Sequence, residues 1–187
     1  MDKIKIISKE CKFSNWLKVY IEKALLPNNK EVERDIVVKG DAVGIIALND
    51  NNELFLVKQP RLAHMIPDFV ELPAGMIEEK HKFDPLIAAK SELREETGCD
   101  PKTCTWTYLG KFIPDTGSCT TKIHLYLAEH AEVKYKLELD SDEYLTCFTM
   151  PFDEAIKKVE DFNDRTFNVS CAIIGISRAA RYLASKK

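Results

Sequence analysis

The residues best suited to chemistry in this chain are three glutamates, Glu92, Glu95 and Glu96, in the run Ser91-Glu92-Leu93-Arg94-Glu95-Glu96-Thr97-Gly98-Cys99, downstream of Glu71-Leu72-Pro73-Ala74-Gly75. On a helix, Glu92 and Glu96 stand at i and i+4 and Glu92 and Glu95 at i and i+3, so the three carboxylates converge on one patch of surface. Carboxylates packed that closely repel one another. A hard divalent cation removes the repulsion, and Mg²⁺ prefers a few carboxylates, several waters and the oxygens of a substrate phosphate. The pattern therefore points to a phosphate-cleaving metal site. The alternative is a solvated helix face on which Lys90 and Arg94 serve as salt-bridge partners.

Such a site needs a helix that holds the glutamates and a sheet that holds the helix. Residues 84–97 read as that helix, with an acidic first residue, Pro85 in the first turn where a missing N–H costs nothing, and Gly98 just past the end. Leu17, Val19 and Ile21 alternate with polar neighbours, Pro27-Asn28-Asn29 supplies a turn, and 32–38 is strand-like, which predicts an N-terminal hairpin. Residues 41–48 and 53–58 are β-rich and separated by Asn49-Asp50-Asn51-Asn52, a second hairpin signal. Strands are expected at 105–113, 122–131 and 143–149, and helices at 152–160 and 167–185, the last from the spacing of Val169, Ile173, Ile176, Ala180 and Leu183. Strands interrupted by a central and a terminal helix suit an α/β fold in which helices sandwich a mixed sheet. No repeat or linker divides the chain, and its 187 residues are ample for one core, so a single domain is expected, with 1–38 as the hairpin region and 39–187 as the catalytic core.

The glutamate run and the glycine before it resemble the Nudix hydrolase box: Gly, five residues, Glu, seven residues, Arg-Glu, an aliphatic, any residue, Glu-Glu, any residue, Gly, an aliphatic. Gly75, Glu92, Leu93, Glu95, Glu96 and Gly98 match it. Ser91 stands where the box has arginine, Phe83 where it has its first glutamate, and the interval from Gly75 to Glu92 is two residues longer than in the family pattern. In the family those two residues mainly brace the loop and helix, so their joint loss implies a rebuilt loop, with Lys90 or Arg94 taking over part of the charge balance. The resemblance implies the Nudix fold, metal ligation by Glu92, Glu96 and the Ala74 carbonyl, and Glu95 as a further or water-mediated ligand. The implied ion is Mg²⁺, with Mn²⁺ as the alternative.

A second layer of resemblance is to the ADP-ribose or ADP-sugar pyrophosphatase branch. It rests on Leu56-Val57-Lys58-Gln59-Pro60-Arg61, on Pro114-Asp115-Thr116-Gly117-Ser118 with Pro114 lying 16 residues beyond Gly98, on Ile123-His124-Leu125-Tyr126-Leu127-Ala128, and on Arg34-Asp35-Ile36-Val37 leading into Ala42-Val43. What it implies is hydrolysis of a diphosphate bridge, with AMP and ribose 5-phosphate as the products from ADP-ribose. The branch takes its general base from an acidic loop beyond the box, a place occupied here by Asp140, Asp142 and Glu143; the plain alternative is a solvated acidic turn. By the same resemblance Arg61 clamps phosphate, Trp16 stacks on adenine, Glu71 orients metal or substrate, and Pro114 and Thr116 line the site. Arg61 read by itself is equally a surface arginine, Trp16 a packing residue, and Glu71 a brace for the loop. Members of the branch are commonly homodimers whose N-terminal hairpins exchange, so a homodimer is implied.

Composition sets outer limits. With 45% apolar and 30% charged residues and a net charge of −3, the chain reads as a soluble domain without the basic face that a nucleic-acid backbone demands. Cys11, Cys99, Cys104, Cys119, Cys147 and Cys171 show no Cys-x-x-Cys spacing and read as reduced thiols, and the four histidines make no zinc pattern. With no signal-peptide pattern and no apolar run near the ~18 residues of a membrane span, a cytoplasmic protein without a membrane partner is expected. Two other functions stay open. One is hydrolysis of another nucleoside diphosphate sugar or a dinucleoside polyphosphate; the other is a non-catalytic nucleotide-sugar sensor, motivated by Ser91 and Phe83.

Overall fold

The computed structural model describes residues 3–141 and 143–186. Contacts divide the chain into two compact units, one running to Asp41 with Ile113–Lys122 added, the other made of Ala42–Phe112 and Ile123 onward. The first unit is a three-stranded antiparallel sheet of β1 (Lys5–Ser14), β2 (Lys18–Leu25) and β3 (Glu31–Val38) in the order β1-β2-β3. The hairpin expected from the alternation is β2 and β3. Strand β1 has no counterpart in the sequence reading because its polar and apolar residues show no clean alternation, and all ten of its residues remain exposed. Its pairing with β2 carries two register shifts, at Ile6/Ser8 and Cys11/Phe13, which disrupt the two-residue period. Segment 113–122 joins this unit through Val37, whose N–H donates to the Ser118 carbonyl at 2.7 Å and whose carbonyl accepts from the Thr120 N–H at 3.1 Å.

The second unit is built on a mixed sheet whose main path runs β10-β5-β4-β9-β8: β4 (Ala42–Leu48), β5 (Glu53–Arg61), β8 (Thr105–Phe112), β9 (Ile123–Glu129) and β10 (Thr146–Pro151). Strand β4 is central, pairing in parallel with β9 along its whole length and antiparallel with β7 (Ala74–Met76) at Ala42–Gly44. Strand β6 (Ile66–Glu71) adds to β5. Neither β6 nor β7 is among the strands expected from the sequence; the three residues of β7 leave no periodicity to read.

Side chains along β4 alternate between its two faces, yet all residues from Val43 to Leu48 are buried, because helices cover both faces. Val43, Ile45 and Ala47 meet Ala88, Ala89 and Leu93 of α1 (Pro85–Thr97). Ile46 and Leu48, on the other face, meet Phe152 and Ala155 of α2 (Phe152–Glu160) and Ala172, Ile176 and Ala179 of α3 (Ser170–Ala184). Both faces of the central strand are therefore dry, as in sheets covered on two sides. Gly44 lets α3 come close: a Cβ there would lie 2.4 Å from Cys171 Sγ, a contact that real Cβ atoms do not make. All six cysteines are free, and among the described residues no helix is long and apolar enough to cross a membrane.

Candidate active site

The site is built where β7 meets α1. The helix starts as its sequence demands: Asp84 is the N-cap, its Oδ1 accepting from the N–H groups of Leu86 at 2.7 Å and Ile87 at 3.1 Å, with Pro85 first in the helix. It ends at Gly98, whose φ of +71° is the left-handed cap that glycine adopts without cost, and whose N–H donates to the Arg94 carbonyl. Its inward stripe is Ala88, Ala89, Glu92, Leu93, Glu96 and Thr97. Two of the three glutamates thus lie on the face that packs on the sheet.

Glu92 and Glu96 are 8% and 2% exposed. The loop 72–76 is pinned to β4 by its short ladder and by the Ile45 N–H donating to the Pro73 carbonyl at 2.9 Å. The pinned loop delivers the Ala74 N–H to Glu96 Oε2 at 2.9 Å. It also lays Gly75 against Glu92 so closely that a Cβ would fall 2.1 Å from the Glu92 carboxyl carbon and from Oε1. A side chain here would displace the Glu92 carboxylate from this position.

Burial, reinforced by the Glu95 carboxylate, pushes Glu92 up to about 7 from an ordinary value near 4.5, while Lys80 pulls the other way. Burial pushes Glu96 up to about 8, against the Ala74 N–H, with Glu92 and Glu143 adding repulsion. Glu95 is half-buried, accepting from the Ser91 hydroxyl at 2.6 Å and facing the Lys80 ammonium at 3.8 Å. The charge balance foreseen from Lys90 or Arg94 is thus arranged differently. Lys90 lies 6.0 Å from the Trp106 ring centroid, and Arg94 turns away to Glu138 and Tyr135. Among the described residues, no group of three His, Cys, Asp or Glu side chains converges tightly enough to enclose an ion unaided. The donor set nevertheless suits a hard cation: oxygen donors, two of them carboxylates kept proton-rich chiefly by burial, beside a glycine that leaves them room.

Arg61, at the end of β5, is fixed by Glu71 at the end of β6. Its Nε and Nη2 both donate to Glu71 Oε2, at 2.7 and 2.6 Å. These two residues line a cleft of about 300 Å³ with His64, Ile66, Phe69 and Asn168. The acidic loop is tied to α1 at its stem. The Glu138 N–H donates to the Glu95 carbonyl at 2.9 Å, Arg94 Nη2 donates to Glu138 at 2.8 Å while the Arg94 Cζ lies 4.6 Å from the Tyr135 ring centroid, and the N–H groups of Lys134 and Tyr135 both reach the Gly98 carbonyl. Beyond the stem a turn closes between Asp140 and Glu143, the Asp140 N–H donating to Glu143 Oε2 at 3.1 Å. Glu143 is near enough for its charge to bear on both Glu92 and Glu96. Asp142 lies outside the described residues.

Of the residues singled out by sequence, Ala74, Glu92, Glu95, Glu96, Arg61, Glu71 and Glu143 belong to the second unit, and Trp16, Pro114 and Thr116 to the first. The Trp16 indole is exposed, with the Lys39 ammonium 4.5 Å from its ring centroid. Pro114 and Thr116 are exposed beside a turn in which Asp115 Oδ1 accepts from the Gly117 N–H at 2.7 Å. The sequence reading missed Lys80, Ser91 and Glu138 as partners of the site. The lengthened Gly75–Glu92 interval was a signal for Lys80; nothing local marks Glu138, 44 residues from Arg94.

Residues 38–169 match the family model of the NUDIX domain. The chain is 35% identical over 158 residues to the ADP-ribose pyrophosphatase of Bacillus subtilis (strain 168), covering 83% of each protein. It is 33% identical over 146 residues to the methanol dehydrogenase activator of Bacillus methanolicus, covering 78% of this chain and 76% of that one. A crystal structure of an ADP compounds hydrolase superposes with a TM-score of 0.82 at 20% identity, over 98% of this chain and 96% of that one, a likeness of fold.

The raised carboxylates have a consequence for stability. Both glutamates hold their protons to higher pH in the folded chain than in the unfolded one, so the fold carries more protons between about pH 4.5 and 8 and loses stability as pH rises through that window. In chelator, the urea midpoint should fall from pH 5 to pH 8. Glu96→Gln, which keeps an acceptor for the Ala74 N–H, should flatten that slope and raise the midpoint at pH 8. A wild-type midpoint independent of pH would show that the pair is not buried as described.

Proposed function

The chain belongs to the Nudix hydrolase family as a Nudix pyrophosphatase, and on that premise we propose that it hydrolyses the diphosphate bond of ADP-ribose or a related ADP-sugar in a metal-dependent reaction, giving AMP and a sugar phosphate. The observation that carries the reading is the buried Glu92 and Glu96 pair laid against Gly75 and Ala74. The identity to an ADP-ribose pyrophosphatase over most of both chains supports the substrate class.

Glu92, Glu96 and the Ala74 carbonyl would hold Mg²⁺ or Mn²⁺, with Glu95 a direct or water-mediated ligand. The chemistry such an ion supplies is neutralisation of the diphosphate and activation of the attacking water. Glu143 is the proposed base, its carboxylate taking the proton from water as the oxygen attacks phosphorus and the P–O bond to the bridging oxygen breaks. The ties from Glu138 to α1 hold the stem of its loop, and Asp142 is the other candidate for the same proton. Arg61 would grip a phosphate oxygen with the donors that Glu71 leaves free, while Glu71 fixes the plane of the guanidinium. Trp16 is proposed to stack on adenine, its exposed indole supporting that role, with Pro114 and Thr116 as further substrate contacts. A homodimer is proposed as well. Its support is the apolar surface that the three-stranded sheet leaves exposed at Ile6, Ile7 and Phe13.

The competing reading is a protein that binds nucleotide sugars without turning them over, since Ser91 and Phe83 replace two box residues. Ser91 still engages the cluster, through its hydrogen bond to Glu95, which favours the enzyme.

Purified protein is expected to release AMP from ADP-ribose with Mg²⁺ and to stop in chelator; binding without turnover across ADP-ribose, ADP-glucose, GDP-mannose, NADH and diadenosine polyphosphates would favour the sensor. Glu96→Gln should lower kcat/KM by more than the ~10–100-fold that loss of an outer-sphere partner costs a metal site, and near-normal hydrolysis would remove Glu96 from the ligand set. Trp16→Ala should raise KM for adenine-containing substrates with little change in kcat, and an unchanged KM would assign the indole to packing or solvent. Sedimentation at micromolar concentration should give twice the chain mass; a monomer would end the dimer proposal.

A further inference from the structure

We propose that Lys80 is a charge-balancing residue of the carboxylate site, a cation carried in by the lengthened loop, standing in for the absent box arginine and competing with a divalent cation for the same carboxylates. The inference rests on the metal-dependent reading above.

Lys80 Nζ lies 3.8 Å from Glu95 Oε2 and 3.8 Å from Glu78 Oε2, and the carboxylates of Glu92 and Asp140 also act on it. It is the cation that bears on Glu92. The other basic groups nearby are committed elsewhere: Lys90 to the Trp106 ring, Arg94 to Glu138 and Tyr135, and Arg61 to Glu71, although the Arg61 charge reaches Glu96 as well. A family arginine would have sat on the helix at position 91. Here Ser91 satisfies one Glu95 oxygen and Lys80 approaches the other from the loop.

The loop is constructed to hold that position. Residues 79–81 form a single 3-10 turn, His81 is 2% exposed, and its Nδ1 accepts from the Glu78 N–H at 3.1 Å. Four backbone bonds close the segment: the His81 and Phe83 N–H groups to the Glu78 carbonyl, the Lys82 N–H to the Glu79 carbonyl and the Asp84 N–H to the His81 carbonyl. Lys82 and Phe83 both take left-handed φ angles, 54° and 55°, an arrangement that non-glycine residues keep only when their surroundings enforce it. With His81 driven inward as the anchor, its neighbour Lys80 stays at the surface, its side chain 46% exposed, reaching the carboxylates by its tip.

Two effects of opposite sign follow. Without metal, Lys80 offsets repulsion among Glu92, Glu95 and Asp140. With a dication in the cluster it becomes a like charge, and its exposed stem lets it swing out to solvent. Lys80→Met should therefore lower the melting temperature in chelator while tightening Mn²⁺ binding by calorimetry about 3- to 10-fold at low salt, both effects shrinking as salt is raised. Lys80→Arg should stay close to wild type on both readouts. A loop that merely unravels without Lys80 would lower both stability and metal affinity, which would overturn the proposal; so would Mn²⁺ affinity unchanged in Lys80→Met. If the wild type binds no Mn²⁺ and hydrolyses nothing, the parent reading fails and the competition with it. If the wild type binds Mn²⁺ and hydrolyses ADP-ribose but Lys80→Met binds the ion no more tightly, only the inference about Lys80 fails.

Discussion

Desolvation of two carboxylates is the constraint around which the second unit is arranged. A carboxylate taken out of water without a partner is costly, and Glu92 and Glu96 are both placed on the sheet-facing stripe of α1 among alanines and a leucine. Each neighbour answers that cost in part. The Ala74 N–H meets one oxygen of Glu96, Gly75 withholds a side chain so that Glu92 has room, and Lys80 brings a positive charge to the edge of the cluster. What remains uncompensated appears as the upward displacement of both acids. Carboxylates held in this condition are chemically suited to a ligand of high positive charge, which is what the proposed metal role requires.

The scaffold must be rigid for that arrangement to persist, and its rigidity comes from β4. Being covered on both faces, this strand carries α1 on one side and α2 and α3 on the other, and it also pins the Leu72–Gly75 loop by its edge. The capped ends of α1 fix where along the sheet the glutamates fall. The Asp84 cap sets the first turn and Gly98 the last, and the Gly98 carbonyl then receives the segment that leads to the acidic loop. Backbone hydrogen bonds, which tolerate less drift than surface ion pairs do, tie the acidic-loop stem to α1 and the glycine loop to β4, while the Ala74 N–H ties the glycine loop to the Glu96 side chain on α1.

The departures of this chain from the Nudix box acquire a physical account in the same frame. Ser91 is too short to reach across the loop as an arginine would, but it is the right length to donate to Glu95 one turn on. The Phe83 side chain is exposed on a left-handed backbone, and the side chain buried in this loop is that of His81, two residues earlier, bonded to the Glu78 N–H.

Much of this was legible in the amino-acid order. The span of α1, its Asp84 and Pro85 start and its Gly98 stop depend on local backbone chemistry, so they could be read directly, as could β4 and β5 from their β-rich runs about a turn, β8, β9 and α2 in outline, and α3 from its helical spacing. That Glu92, Glu95 and Glu96 share adjacent turns of one helix was likewise legible, because i, i+3 and i+4 spacing is local, although the three side chains do not converge on one point. Strand β1 and the short strands β6 and β7 were not, since their pairing partners rather than their own patterns make them strands. Nor could the sequence say that Glu92 and Glu96 face inward while Glu95 does not, that Lys80 rather than Lys90 or Arg94 neutralises the cluster, or that Glu138 reaches Arg94 from 44 residues away. Those outcomes depend on which groups the folded sheet and loops bring within a few ångströms, and Coulomb and desolvation energies depend on that distance and burial, not on separation along the chain.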